Sequence, residues 1–203
     1  MDIQVLVHSS IRIEKEGKVI YFDPFKVIGY HNDADYIFIT HPHYDHYSLD
    51  DIERIRKDDT VIIGPEEIGE ADILVWPNES YSLDCGIKFS TVPAYNIDKQ
   101  FHLEDYNWVG YIIELEGVKY YISGDTDGLP ENQNLDIDVA FLPIGGTFTM
   151  NVEEAATYAS KMKAKKIIPT HYGDIVGDGS DGEKFKELLA NLNPDQEVEV
   201  HIY

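Results

Sequence analysis

The sequence predicts a mixed α/β (or α+β) protein with two β-rich halves, about residues 1–105 and 106–203. Three observations support this prediction. Short segments rich in β-branched and aromatic residues recur along the chain, amphipathic segments follow strands in both halves, and no Pro-, Ser- or Gly-rich linker separates the halves. With 203 residues, 43% of them hydrophobic, the chain is long enough to form one packed domain over residues 1–203.

Strand-forming segments dominate the first half. The predicted strands are residues 3–8, 11–13, 18–22, 36–39, 61–63, 73–76 and 87–92. Glu16-Gly17-Lys18 is typical of a hairpin turn between the second and third of these strands. Ser48 precedes Asp50 and Asp51, and apolar residues then recur at helical spacing, so we predict a helix capped by Ser48 after the fourth strand.

The second half repeats this pattern. Its predicted strands are residues 109–115, 118–122, 139–142, 167–168 and 197–203, with a hairpin turn at Glu116-Gly117. Asn151, followed three residues later by Glu154, predicts the start of a helix. A second amphipathic helix is indicated by apolar residues at the spacing i, i+3, i+4 and i+7, which are Phe185, Leu188, Leu189 and Leu192.

The charge balance argues against nucleic-acid binding. Lys and Arg total 16 and Asp and Glu total 38, which gives a net charge of −22. A surface that binds phosphate backbones needs clustered basic residues. The one dense basic group follows the predicted helix that begins near Asn151; it comprises Lys161, Lys163, Lys165 and Lys166. We therefore expect a small-molecule substrate and no nucleic-acid partner.

The cysteine content and hydropathy indicate a reducing compartment. Cys85 is the single cysteine, so no disulfide within the chain is possible. The residues after Met1 lack the basic and apolar regions of a signal peptide, and no run approaches about 18 apolar residues. We expect a cytoplasmic protein without a membrane span.

Three histidines and a carboxylate follow the apolar strand 36–39. The segment reads Thr40-His41-Pro42-His43-Tyr44-Asp45-His46. His41 and His43 point the same way if the backbone stays extended, so they can bind one cation. Asp45 and His46 can serve a second cation. Neutral imidazole and carboxylate are ligands of Zn²⁺, and Mn or Fe also tolerates them.

Further candidate ligands stand where other predicted strands end. Asp125 follows the strand 118–122 beside a glycine, His171 follows the strand 167–168, and Asp23 follows the strand 18–22. These strand ends can converge if they share one side of the fold. His8 also follows a strand; it is either a polar group that faces substrate or a hydrogen-bonded residue at a strand end.

The motif HxHxDH at residues 41–46 resembles that of the metallo-β-lactamase superfamily of metal-dependent hydrolases. The resemblance covers nearly the whole chain, from Asp23 through Gly124-Asp125-Thr126 to His171. The segments Pro143-Ile144-Gly145-Gly146, Thr149-Met150 and residues 169–173 are most similar to the branch of ascorbate-6-phosphate lactonase-like hydrolases.

This resemblance implies a four-layer αββα sandwich with two divalent metal ions, Zn above all, at the edge between the halves. It implies hydrolysis of a small ester, lactone, amide or phosphoester by a metal-bound hydroxide, with Asp45 as the catalytic residue. Asp23 would orient the ligating imidazoles. The implied ligands are His41 and His43 for the first metal, Asp45, His46 and His171 for the second, and Asp125 as the bridge.

One position departs from the family pattern. The family usually has a third histidine for the first metal just after the strand that ends here near Val92-Pro93-Ala94, where this chain has Tyr95 and Asn96. We hypothesise that His102 supplies this ligand. The rival hypothesis is a one-metal site in which Tyr95 or Asn96 fills the space.

Two other functional classes stay open on the same scaffold, an iron-dependent oxidoreductase and a non-catalytic metal-binding protein. Serine-hydrolase and nucleotide-binding chemistry fit poorly, because the chain has neither a G-x-S-x-G motif nor a phosphate-binding glycine loop.

Overall fold

The computed structural model describes residues 2–15, 17–83 and 85–201. The chain divides into two compact units, residues 1–76 and residues 77–202, and each contains one β-sheet. The boundary comes earlier than that between the predicted halves, because the strands at residues 80–82 and 88–93 pair within the second sheet. The single-domain organisation over residues 1–203 stays a prediction.

The first unit contains a six-stranded sheet in the order β1-β2-β3-β4-β5-β6. Its strands are β1 (Asp2–Val5), β2 (Ile11–Lys15), β3 (Lys18–Phe22), β4 (Ala34–Phe38), β5 (Arg56–Gly64) and β6 (Ile73–Leu74). The strands β1, β2 and β3 pair antiparallel, whereas β3 to β6 pair parallel. Parallel pairing places the carboxyl ends of β3 and β4 at the same edge.

The helix α1 (Leu49–Ile55) begins where the sequence predicted a cap. The Ser48 hydroxyl accepts a hydrogen bond from the Asp51 backbone N–H. Ile52 and Ile55 are fully buried on one side of the helix. They share a hydrophobic cluster with the sheet residues Val19, Tyr21, Ile37 and Ile62, among others. The apolar face of α1 therefore covers one face of the first sheet.

The second unit contains a seven-stranded sheet in the order β13-β12-β11-β10-β9-β8-β7. Its strands are β7 (Ser80–Ser82), β8 (Lys88–Pro93), β9 (Val109–Leu115), β10 (Val118–Ile122), β11 (Val139–Pro143), β12 (Lys166–Thr170) and β13 (Glu197–Val198). The strands β7 to β10 pair antiparallel, and β10 to β13 pair parallel.

Two helices pack against this second sheet, α2 (Val152–Ala159) and α3 (Asp181–Leu192). A reciprocal capping box joins Asn151 and Glu154 at the start of α2, as predicted. Ala155 and Phe185 are fully buried in a cluster that also contains sheet residues such as Leu142. Single turns of 3₁₀-helix cover Glu104–Tyr106 and Pro130–Asn132.

Several segments differ from the predicted strands. The strand β5 begins at Arg56, five residues before the predicted 61–63, and β6 ends at Leu74, two residues before the predicted end at residue 76. The strand predicted at residues 3–8 ends at Val5, because Leu6 begins a turn in which its N–H donates to Ser10 O. The strand β7 was not predicted, since its short polar segment gains its conformation from pairing with β8. The last predicted strand, residues 197–203, forms only at Glu197–Val198; the prediction is wrong for residues 199–201, and residues 202–203 lie outside the described residues. Within the described chain, every helix is too short to cross a bilayer.

Candidate metal centre

The first group of candidate ligands lies at the carboxyl ends of β3 and β4. Asp23 directly follows β3, and its backbone N–H donates to Phe38 O in β4 at 3.0 Å. The His-rich segment of residues 40–46 follows β4 after the buried Ile39. The parallel register of β3 and β4 therefore brings Asp23 beside this segment, although they are far apart in sequence.

The carboxylate of Asp23 sets the orientation of two imidazoles. It accepts hydrogen bonds from the Thr40 backbone N–H at 2.8 Å, the Thr40 hydroxyl at 2.7 Å and Nδ1 of His46 at 2.8 Å. Because the Thr40 hydroxyl donates to Asp23, its oxygen accepts from Nδ1 of His41, at 2.9 Å. Protons on both Nδ1 atoms put the lone pairs on Nε2, the nitrogen that can bind a metal.

His41 and His43 converge in the way that shared metal ligands require. Nε2 of His41 lies 3.2 Å from Nδ1 of His43. Two nitrogens that bind one tetrahedral Zn²⁺ at 2.0–2.1 Å lie roughly 3.3 Å apart. The spacing of these two nitrogens therefore suits a shared ion, and the i, i+2 prediction for the pair is consistent with this geometry.

Asp45 lies between two imidazoles of the same unit. Its Oδ2 is 3.2 Å from Nε2 of His8 and 3.9 Å from Nε2 of His46. The ligand atoms of these three residues lie within 4.8 Å of one another, and all three residues are buried. A carboxylate between imidazoles can bind a cation or accept a proton from a water molecule.

The second group lies at the carboxyl ends of β10 and β12. Asp125 follows β10 after Ser123 and Gly124, and His171 directly follows β12. Oδ2 of Asp125 lies 3.1 Å from Nε2 of His171. Gly145, which follows the intervening strand β11, passes against His171; a Cβ at this glycine would lie 2.1 Å from the His171 carbonyl oxygen. The close packing of Gly145 against His171 fixes the position of the His171 backbone.

His102 joins the second group from a loop. It lies in the connection between β8 and β9, where Pro93 pairs with Val109. Its Nε2 is 3.2 Å from Oδ2 of Asp125, and the residue is 1% exposed. One carboxylate oxygen therefore has an imidazole nitrogen on each of two sides, from His102 and His171.

Backbone strain accompanies both groups. His8, Asp23, His102 and His171 have φ values of 58°, 44°, 56° and 57°. This left-handed region is uncommon for residues other than glycine, and such residues concentrate at functional sites. The surrounding hydrogen bonds hold these side chains in orientations that a relaxed strand would not give.

The family follows from comparison with known proteins. Residues 2–171 match the family model described as "Beta-lactamase superfamily domain". The chain belongs to the metallo-β-lactamase superfamily. A protein of Thermococcus onnurineus named "UPF0173 metal-dependent hydrolase" is 35% identical over 78% of this chain and 76% of its own length. A protein of the same name from Geobacillus thermodenitrificans is 32% identical over 98% of this chain and 100% of its own length.

A solved structure from Parabacteroides distasonis matches with a TM-score of 0.83 and 30% identity, over 98% of this chain and 91% of the other. The predicted superfamily and its mixed α/β two-sheet fold are therefore confirmed. The predicted enzyme class, metal-dependent hydrolase, is confirmed as well, because the relatives carry that name.

The structure gathers the predicted ligands of this superfamily member into one group in each unit. The first unit brings together His41, His43, Asp45 and His46, and the second brings together His102, Asp125 and His171. Their assignment to metal ions stays a prediction.

Two neighbouring residues refine the predictions. His8, whose role the sequence left open, contacts Asp45; only its position after a strand signalled this. Tyr95, a rival ligand, donates its hydroxyl to Glu131 at 2.8 Å, and this hydrogen bond raises the pKa of Tyr95 to about 12. Its phenol is therefore neutral at ordinary pH and is held by Glu131.

Proposed function

We propose that this chain is a hydrolase that uses two divalent metal ions, with zinc as the preferred metal, to cleave a small ester, lactone, amide or phosphoester. The observation that carries the proposal is the repeated spacing of 3.1–3.2 Å between candidate ligand atoms in both units. The donors are imidazole nitrogens and carboxylate oxygens, which fit Zn²⁺ and also admit Mn or Fe. The proposed ligands are His41, His43, Asp45, His46, His102, Asp125 and His171.

Each ligand has a proposed partner ion. His41, His43 and His102 would bind the first ion, and Asp45, His46 and His171 would bind the second. Asp125 would bridge them. Support for the bridge comes from its Oδ2 atom, which lies 3.2 Å from Nε2 of His102 and 3.1 Å from Nε2 of His171, residues that we assign to different ions.

Asp45 is the proposed catalytic base. Bound divalent ions would supply a water of lowered pKa and a positive charge that polarises the scissile bond. Asp45 would orient that water and take its proton, and Nε2 of His8, 3.2 Å from Oδ2, would hold the carboxylate in place. Nδ1 of His46 donates to the Asp23 carboxylate. Asp23 would therefore keep Nε2 of His46 on the far side of the ring, where it can bind the second ion.

The charge of the chain favours a small substrate. A net charge of −22 slows the approach of long polyanions, more so at low salt. The likeness of residues 143–146 and 169–173 to ascorbate-6-phosphate lactonase-like hydrolases supports a lactone among the candidate substrates. We therefore put small lactones first.

The proposal is tested by loading the metal-free protein with Zn²⁺, Mn²⁺ or Fe²⁺ and measuring hydrolysis of a panel of esters, lactones, amides and phosphodiesters. Elemental analysis of protein purified without added metal gives the metal and its stoichiometry. We expect two ions per chain and hydrolysis that is lost with a chelator and restored by Zn²⁺. Bound metal without turnover of any panel member would contradict the hydrolase assignment. Iron with oxygen consumption would favour the oxidoreductase instead.

A further inference from the structure

Asn96 closes the loop that carries His102. Its backbone N–H donates to His102 O at 2.8 Å, so residues 96–102 form a loop with joined ends. The loop leaves the sheet after β8 and returns to it at β9. His102 lies nine residues after the end of β8, farther from a preceding strand than Asp125 or His171, so its position depends on how this loop is held.

The side chain of Asn96 ties this loop to a second segment. Its Nδ2 donates to Phe101 O at 2.9 Å and to Phe148 O at 2.7 Å, and the residue is 4% exposed. Nδ2 also lies 3.2 Å from Nδ1 of His102. The buried amide therefore contacts the imidazole ring while it binds the backbone carbonyl of Phe101, directly before His102, and that of Phe148 on a separate segment.

Other contacts leave the His102 ring little freedom. The Trp108 ring packs edge-on against it at a centroid distance of 5.5 Å, and its Nε2 lies 3.2 Å from Oδ2 of Asp125. The base of the loop is attached to the segment after Asp125, because Asp127 accepts from the Ile97 backbone N–H at 2.9 Å. Both ends of the loop therefore contact the segment of residues 125–127: Ile97 at the start binds Asp127, and the His102 ring at the end lies against Asp125.

We propose that Asn96 is a positioning residue that fixes the His102 imidazole in the orientation needed to bind metal. This inference rests on the proposed function, since it takes His102 as a metal ligand. Asn96 occupies a place where the superfamily usually has a ligand histidine. In this proposal Asn96 does not bind metal itself but acts by orienting His102. His102 has a φ of 56°, a conformation that the loop must hold in place.

The amide acts by organising the ligand before metal arrives. Without it, the carbonyl groups of Phe101 and Phe148 lose a hydrogen-bond donor, the loop relaxes, and the ring can rotate away from Asp125. Loss of a group that orients a ligand typically weakens metal binding by about 10–100-fold. The same loss should distort the coordination geometry around any ion that still binds.

Asn96→Ala tests the proposal, with Asn132→Ala as the matched control. Asn132 is a buried amide of the same unit whose Nδ2 donates to Pro93 O at 2.8 Å and lies 3.4 Å from the Tyr121 hydroxyl. Zn²⁺ dissociation constants from chelator competition and the visible absorption spectrum of the Co²⁺ form are measured for the full chain. If Asn96→Ala does not fold, Asn96→Ser replaces it, because the shorter hydroxyl can still donate to a carbonyl but not contact the ring.

We expect Asn96→Ala to weaken binding of one Zn²⁺ by about 10–100-fold and to change the Co²⁺ spectrum, while Asn132→Ala changes neither. Unchanged affinity and spectrum in Asn96→Ala, or equal changes in both variants, would overturn the positioning role alone. A wild-type chain that binds neither Zn²⁺ nor Co²⁺ would overturn the proposed function, and this inference with it.

Discussion

Nδ1 of His46 lies 2.8 Å from Oδ2 of Asp23, and neither side chain is exposed. The same oxygen accepts the Thr40 hydroxyl at 2.7 Å, and that hydroxyl oxygen contacts Nδ1 of His41. One buried carboxylate thus orients two imidazoles, one directly and one through a hydroxyl. Both rings then present Nε2 as the nitrogen that can bind a metal.

Asp23→Asn should weaken metal binding by about 10–100-fold. The amide has only one acceptor oxygen, so it cannot accept from all three donors that surround Asp23. We expect a loss of stability of about 1–3 kcal/mol as well. Chelator competition with Zn²⁺ measures the affinity, and urea unfolding measures the stability.

The matched control is Asp51→Asn in the same unit. Asp51 is a buried carboxylate that also accepts three hydrogen bonds, from the backbone N–H groups of Lys26 and Val27 and from the Ser48 hydroxyl. It should lose stability without the loss of metal affinity. Equal affinities in the two variants would show that Asp23 supports the fold and not the metal ligands.

Asp45→Asn should retain part of the metal and lose most hydrolysis. The amide keeps the size of the carboxylate but cannot accept a proton, and removal of a general base typically lowers kcat by about 10²–10⁴-fold. Turnover per bound metal ion is the measurement, with the exposed Asp50→Asn as the control. Near-normal turnover in Asp45→Asn would remove Asp45 from the proposed chemistry.

Local signals made much of the fold predictable. The cap at Ser48 and the capping box of Asn151 and Glu154 depend on residues three apart, so the sequence alone reveals them. The hairpin at Glu116-Gly117 is equally local, with φ values of 51° and 77° at the two turn residues. Such features need no knowledge of the tertiary structure.

Non-local contacts set the limit of sequence reasoning. His8 reaches Asp45, 37 residues away, through a left-handed turn after β1 that no alternating pattern reveals. The short polar strand β7 forms by pairing with β8, and its own propensity is weak. Asn96 was singled out only as a departure from a family pattern, because its contact with Phe148 spans 52 residues.

His102→Ala should lower the metal content from two ions per chain to one. The variant removes an imidazole whose Nε2 lies beside the proposed bridging carboxylate of Asp125. Elemental analysis after dialysis gives the stoichiometry. The exposed His31→Ala serves as the control for adventitious binding by surface histidines, and it should keep two ions. An unchanged stoichiometry of two in His102→Ala would exclude His102 from the site.

Gly145→Ala should lower the free energy of unfolding by about 1–3 kcal/mol and weaken metal binding. Its Cβ would lie 2.1 Å from the His171 carbonyl oxygen, a backbone atom that cannot rotate away, so the His171 backbone must shift. Gly179→Ala is the control, because no atom of the described residues, its two chain neighbours aside, lies within 4 Å of its added Cβ. Thermal unfolding and Zn²⁺ affinity are compared; similar values for the two variants would contradict the close packing at Gly145.

Asp35 should make the protein less stable in acid. Burial alone would raise the pKa of this carboxyl, but hydrogen bonds from Lys57, the Val19 backbone N–H and Lys18 lower it below the usual 3.8. A lowered pKa stabilises the fold above pH 3.8, and the contribution is lost as the pH falls through the folded-state pKa. Asp35→Asn should therefore lower the free energy of unfolding by about 1–3 kcal/mol at pH 7. Below pH 3.8 the difference between the variant and the wild type should become progressively smaller. Urea unfolding across this range measures the difference, with the exposed Asp59→Asn as the control; a gap between wild type and Asp35→Asn that stays constant down to pH 2 would contradict the assignment.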